Sequence, residues 1–253
     1  MERWQGKIAV VTGASAGLGA AISEKLVEEG INVVGFARRK EKIEELAKNI
    51  KSKNGAKLHA LKVDVTNEEE VVNAFKYISE NIGTVSILIN NAGIVQLTTL
   101  IDGDSNLWKK VLDTNVLGLC IATREAVKIM MKNNIDGHII HINSLAGHRV
   151  PKIPYTNVYS ASKYAVTSLA QTLVNELRSK GSKIKVTSLS PGYVETEIAE
   201  VNGFLMNAAV RELEAKAPRM YPIDIANAVA YVLSTPPHVE VTELSVQPVG
   251  ELS

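Results

Sequence analysis

A single cysteine, Cys120, stands in a chain of 253 residues, so no internal disulfide is available and a reducing compartment, the cytoplasm, is expected. Its neighbours in NVLGLCIA are apolar, the setting of a buried thiol rather than a nucleophile. An excess of one charge is missing as well. The 28 Lys and Arg against 27 Asp and Glu leave a net charge of +1, without the basic surplus that a nucleic-acid binder needs. The densest cluster, Arg38 to Lys42, mixes signs. No apolar run approaches the roughly twenty residues of a membrane span. The opening MERWQGK has no signal-peptide character, and no Asn-x-Ser/Thr acceptor occurs. The five histidines lack ligand spacing: His138 and His141, three apart in a predicted strand, face opposite ways, so no metal site is expected.

What the chain does have is alternation. KIAVVTG (7–13), NVVGFA (32–37), LHALKVD (58–64), SILINNAG (86–93), GHIIHINS (137–144) and KVTSLSPG (185–192) are aliphatic and β-branched almost throughout, as strands covered on both faces must be. Between them lie stretches such as AGLGAAISEKLVEEG and NEEEVVNAFKYISENIG, with apolar spacing near 3.6. The pattern predicts a single α/β domain over 1–253, a doubly wound Rossmann fold with a parallel sheet of about seven strands and helices on both faces. Its cofactor half covers about 1–140 and its catalytic and substrate half about 141–253.

The first strand runs into TGASAGLG, with Gly13, Gly17 and Gly19, and then directly into a helix. Glycines there let the backbone turn sharply and a pyrophosphate come close, while the helix N-terminus offers free N–H groups. A ligand-free βα turn can carry the same glycines. The strand before and the helix after favour the phosphate reading, with Ser15 and Leu18 as further contacts. A nicotinamide enzyme that prefers NAD places a carboxylate at the end of its second strand, against the ribose 2′-hydroxyl. This chain places Ala37-Arg38-Arg39 there, and the arginine fork suits a 2′-phosphate, so NADP(H) is the expected cofactor. Two solvated arginines are the alternative. Asp64 and Val65 end the third strand, in position for an adenine. NNAG, with Asn91, Ala92 and Gly93, ends the fourth, where ligands of open parallel sheets bind.

YSASK puts Tyr159 and Lys163 one helical turn apart on one face, with only small residues between. A free phenol titrates near 10, and a neighbouring cation favours the phenolate. Tyr159 is thus the expected proton carrier, with Lys163 tuning it and holding a ribose. Small residues at 160–162 would let cofactor and backbone approach. Ser144, fifteen residues upstream at a strand end, is positioned to orient a substrate oxygen. Asn115 lies inside a long helical pattern, where asparagine is unfavourable, and marks a kink or a water site.

In this order, TGASAGLG, Asp64, NNAG, Asn115, Ser144, YSASK and SPGYVET (190–196) resemble the short-chain dehydrogenase/reductases over nearly the whole chain. The resemblance implies a catalytic tetrad of Asn115, Ser144, Tyr159 and Lys163. It also implies that Asn115 holds a relay water, that Tyr159 and Lys163 touch the cofactor, and that Pro191, Gly192, Val194 and Thr196 flank the nicotinamide. GFARR, SLAGHRVPKIPYTNVYSASKYAVTSLAQ and the tail VQPVGEL are similar to a narrower branch of animal NADP-dependent proteins, the farnesol-dehydrogenase-like and dehydrogenase/reductase member 11 group. That likeness implies oxidation or reduction of a lipophilic alcohol or carbonyl, a terpenoid such as farnesol or a hydroxysteroid.

A segment at about 194–220, with Ile198, Val201, Phe204, Leu205 and Met206 at helical spacing, is the expected lid, and an apolar lid favours a lipophilic substrate. Helical patterns around 105–134 and 157–180 carry more apolar surface than a sheet face covers, which predicts a homodimer or homotetramer. Two other functions stay open. A cofactor-binding sensor on the same fold would bind NADP(H) without turnover. A sugar-nucleotide epimerase or dehydratase would need a larger C-terminal region than the sixty or so residues after the sixth strand.

Overall fold

The computed structural model describes residues 1–152, 155–196 and 218–251. Its centre is a parallel sheet of seven strands in the order β3-β2-β1-β4-β5-β6-β7. They are β1 (Ile8–Thr12), β2 (Asn32–Ala37), β3 (Leu58–Lys62), β4 (Val85–Asn90), β5 (His138–Ile142), β6 (Lys185–Pro191) and β7 (Glu243–Val246). Every residue of β1, β4, β5 and β6 is buried, which is why these segments carry no polar alternation. The seventh strand is different. ELSV alternates exposed and half-buried residues at the sheet edge, and so short and polar a segment has no strand signature of its own.

Side chains of successive strand residues leave the sheet on opposite sides, and each side meets its own helices. Ala9 and Val11 of β1 join a cluster with Ile22 and Leu26 of α1 (Gly17–Glu28), Ile43 of α2 (Lys40–Asn49) and Val229 of α7 (Pro222–Ser234). Ile8 and Val10 point the other way. They meet Phe75 of α3 (Glu68–Asn81), Met130 of α5 (Leu119–Lys132) and Leu177 of α6 (Asn157–Ser179). The doubly wound architecture follows from this two-sided burial.

The helical pattern around 105–134 is not one helix. It is α4 (Ser105–Leu112), a π-helical turn at Asp113–Gly118, and α5. Strand order reverses between β1 and β4, which leaves a crevice beyond their C-terminal ends. The apolar residues expected to form a lid, Ile198, Val201, Phe204, Leu205 and Met206, lie outside the described residues. Among the described residues, no helix is long and apolar enough to cross a membrane.

Candidate active site

That crevice opens into a cleft of about 550 Å³. The β1–α1 turn forms its floor. Gly13 and Gly17 hold φ of +69° and +53°, backbone that a side chain disfavours. Ser15, Gly17 and Leu18 line the cleft beside Gly13. Gly19 does not, and its role is packing: a Cβ there would stand 2.2 Å from the Gly13 carbonyl oxygen, so only glycine lets α1 close against the turn. The Asn91 amide donates to the Thr12 oxygen at 2.9 Å, and Thr12 Oγ1 accepts from the N–H groups of Asn91 and Ala92 at 3.0 Å each. These bonds lock the ends of β4 and β1 together.

Arg38 and Arg39 line the far end of the cleft, exposed. Lys40 pairs with Glu44 at 3.1 Å, whereas among the described residues neither arginine forms an ion pair. No carboxylate stands at the end of β2. Asp64 and Val65 line the wall at the end of β3, where Asp64 Oδ1 accepts from the backbone and hydroxyl of Thr66.

At the other end, Ser144 follows β5 and caps a short 3₁₀ turn, its hydroxyl accepting from Ala146 N at 3.1 Å. Tyr159, in the first turn of α6, reaches back and hydrogen-bonds Ser144. Lys163 is 7% exposed and donates to the Ile142 carbonyl at 2.9 Å, with its nitrogen 5.8 Å from the centre of the Tyr159 ring. Burial lowers Lys163 to about 8. Gly93 completes this corner. A Cβ there would project to 3.6 Å from Asn115 Oδ1 and 3.9 Å from Lys163 Nζ, into space that glycine leaves open.

Asn115 causes the kink that its sequence context predicts. Its Oδ1 accepts from Ile94 N at 2.8 Å, while Nδ2 donates to Ile94 O at 2.9 Å and to Ser162 Oγ at 3.0 Å. Both N–H groups are therefore committed to protein. Asn115 anchors the π-turn to the loop after β4 and to α6.

Two expectations need correction. Lys163 does not make the phenol acidic in the protein alone. Desolvation pushes Tyr159 above its ordinary value, and the bond to Ser144 offsets only part of that. The ammonium lies over the ring and is bound to a carbonyl, and burial lowers its own pKa to about 8. Next, the small residues of YSASK do not make room for a cofactor. Ser162 is fully buried against Asn115, Ser160 bonds Thr156, and Ala161 faces solvent. After β6, Thr196 lines the cleft. In the same turn Gly192 is tied to Val246, and Val194 bridges to Met220.

The cleft also recruits residues without a motif. Asn143 lines it with one amide nitrogen on Thr167 and Ser188, and Thr114 enters from the π-turn. Asn143 sits at a strand end beside Ser144, a position the strand-end rule would have flagged. Thr114 carries no such signal.

A family model described as short chain dehydrogenase matches residues 7–203. The chain is 48% identical over 252 residues to farnesol dehydrogenase of Aedes aegypti, covering 99% of each. It is 42% identical over 259 residues to dehydrogenase/reductase SDR family member 11 of Homo sapiens, covering 100% of this chain and 98% of that one. Among solved structures, the closed form of serine dehydrogenase complexed with NADP+ aligns with a TM-score of 0.88 at 29% identity, over 97% of this chain and 96% of that one. Sheet order, crevice and sequence agree across most of the molecule, and the chain belongs to the short chain dehydrogenase family, in the branch of its farnesol dehydrogenase and member 11 relatives.

Proposed function

We propose that this oxidoreductase uses NADP(H) to interconvert a lipophilic alcohol, a terpenoid such as farnesol or a hydroxysteroid, with its aldehyde or ketone. The observation that carries the reading is Tyr159, which lines one end of a cleft and is hydrogen-bonded to Ser144, while the other end presents two arginines without an ion pair among the described residues. The cleft fits a dinucleotide by its glycine floor, by the N-terminus of α1 and by the space beside Gly93. Arg38 and Arg39 would hold a 2′-phosphate, Asp64 and Val65 the adenine, and Lys163 the ribose near the reacting carbon. When bound, the nicotinamide supplies or takes up the hydride.

The proton is the protein's part. Tyr159 donates it to the carbonyl oxygen during reduction and takes it from the hydroxyl during oxidation, while Ser144 orients that oxygen. Because desolvation raises the phenol, Tyr159 stands protonated at neutral pH, ready to act as an acid. Asn115 acts through position, holding Ile94 and Ser162 around the tyrosine. The relatives' names support the substrate class, and the serine dehydrogenase complex supports the cofactor. Exposed Leu112, Leu117 and Tyr164 on the helices around α5 support a homo-oligomer, and the lone cysteine supports a cytoplasmic setting.

Tyr159→Phe tests the reading. Turnover with NADPH and a panel of terpenoid, steroid and small carbonyls should fall by at least 100-fold, with NADPH affinity retained. Near-normal turnover would remove Tyr159 from the chemistry, and cofactor binding without turnover in the parent would favour the sensor reading.

A further inference from the structure

A second cavity, of about 290 Å³, lies at the opposite end of the sheet from the cleft. It opens where β5 and β6 begin, between the N-terminal turn and the loop after α7. Its walls are Arg3, Trp4, Asp136, Lys183, Lys185 and His238, with Gly137 and Pro237. Three cationic side chains thus face one space with a single carboxylate.

Their arrangement is built. Arg3 stacks on the Trp4 ring at 4.7 Å, and the Trp4 indole is fixed by its bond to the Leu233 carbonyl at 2.8 Å. Arg3 also donates one terminal nitrogen to that carbonyl at 3.3 Å, yet its Nε–H is buried with no partner among the described residues. Lys185 is 6% exposed and bonded to the carbonyls of Pro236 and Val239. Burial lowers the Lys185 pKa, the Arg3 charge lowers it further, and Glu240 pulls the other way. Glu240 is nearby but committed, accepting from Arg178 at 2.7 Å and from Val186 N at 2.9 Å. Among the described residues, none of Arg3, Lys183 and Lys185 forms an ion pair. Buried Lys185, half-buried Arg3 with an unfilled guanidinium donor, and exposed Lys183 leave a positive charge that Asp136 and Glu240 offset only in part, a site suited to an anion from outside the chain.

We propose that this basal cavity binds a small phosphate-bearing anion. The excess of three cations over one carboxylate in the cavity wall suits a doubly charged group, and an arginine placed over an aromatic ring offers the fork of donors that phosphate takes. The cavity is at the small end of ligand sites, which excludes a dinucleotide. The site is separate from the cofactor cleft, since β6 begins at Lys185 here and ends at Pro191 there.

Thermal unfolding tests this in protein saturated with NADP+, and again in an Arg38→Asp background, so that phosphate captured at the cofactor cleft is removed from the readout. Inorganic phosphate at about ten times its Kd should raise Tm by roughly 4 °C over sodium chloride of equal ionic strength. Glycerol phosphate in a parallel arm distinguishes the sources: a larger rise favours an ester, a smaller one the free ion. Lys183→Glu, at an exposed position that leaves the core untouched, and Arg3→Gln should each abolish most of the rise. No rise in the parent, or an equal rise in parent and both variants as general salting would give, overturns the proposal.

Discussion

Replacing Asn115 by alanine separates a positioning role from a chemical one. The side chain is 2% exposed and makes hydrogen bonds of 2.8, 2.9 and 3.0 Å to Ile94 N, Ile94 O and Ser162 Oγ. A buried hydrogen bond contributes about 1 kcal/mol net, and groups stranded without a partner cost more, so the loss should be about 3 kcal/mol. In a chain of this size that lowers Tm by roughly 6–12 °C, read by circular dichroism. Turnover should fall with it, because Ser162 bonds the Tyr159 carbonyl from the same junction. Asn115→Asp keeps the acceptor and loses both donors, so it should also melt early. If Asn115→Ala melts within 1–2 °C of the parent while turnover collapses, the anchoring argument is wrong and the residue acts directly on the reacting groups.

Two further outcomes follow from the geometry. If Arg38 holds the 2′-phosphate as proposed, Arg38→Asp removes a charge-assisted contact worth about 1.5–3 kcal/mol and should raise the NADP(H) KM by roughly 10- to 100-fold relative to NAD(H), so an unchanged ratio of the two would refute the arginine reading. His138 is fully buried and lowered from 6.5 to about 3 by desolvation and by the charges of Lys185 and Arg3. The unfolded chain takes up a proton below pH 6.5 that the native ring refuses, so stability falls with pH between those limits, by about 2 kcal/mol at pH 5. His138→Gln should flatten that part of a urea-denaturation pH series, and an unchanged slope would show that His138 contributes nothing to it.

Much of the scaffold is legible in the chain because its causes are local. A strand buried on both faces must be aliphatic throughout, and the six runs at 7–13, 32–37, 58–64, 86–93, 137–144 and 185–192 each overlap an observed strand within a few residues. Gly13 and Gly17 are readable because the turn's backbone excludes side chains whatever surrounds it. The same locality brings Tyr159 and Lys163 onto one face of α6.

Where the cause is distant, the sequence is silent or misleading. β7 is a strand only because β6 offers it an edge. Asn115 shows a helix interruption, but that the partners are Ile94 and Ser162, 21 and 47 residues away, is decided by packing. The direction of the Tyr159 shift belongs to the same class. A lysine four residues on suggests a more acidic phenol, yet desolvation by the assembled cleft outweighs a cation that faces the ring and is bonded to a backbone carbonyl. The basal cavity joins residues 3, 136, 183, 185 and 238, which no spacing rule connects. The chain by itself determined backbone conformation and the residue types at each strand end, because those depend on nearest neighbours. Charge, solvation and the company each side chain keeps were decided only in three dimensions, because they sum over everything folded around it.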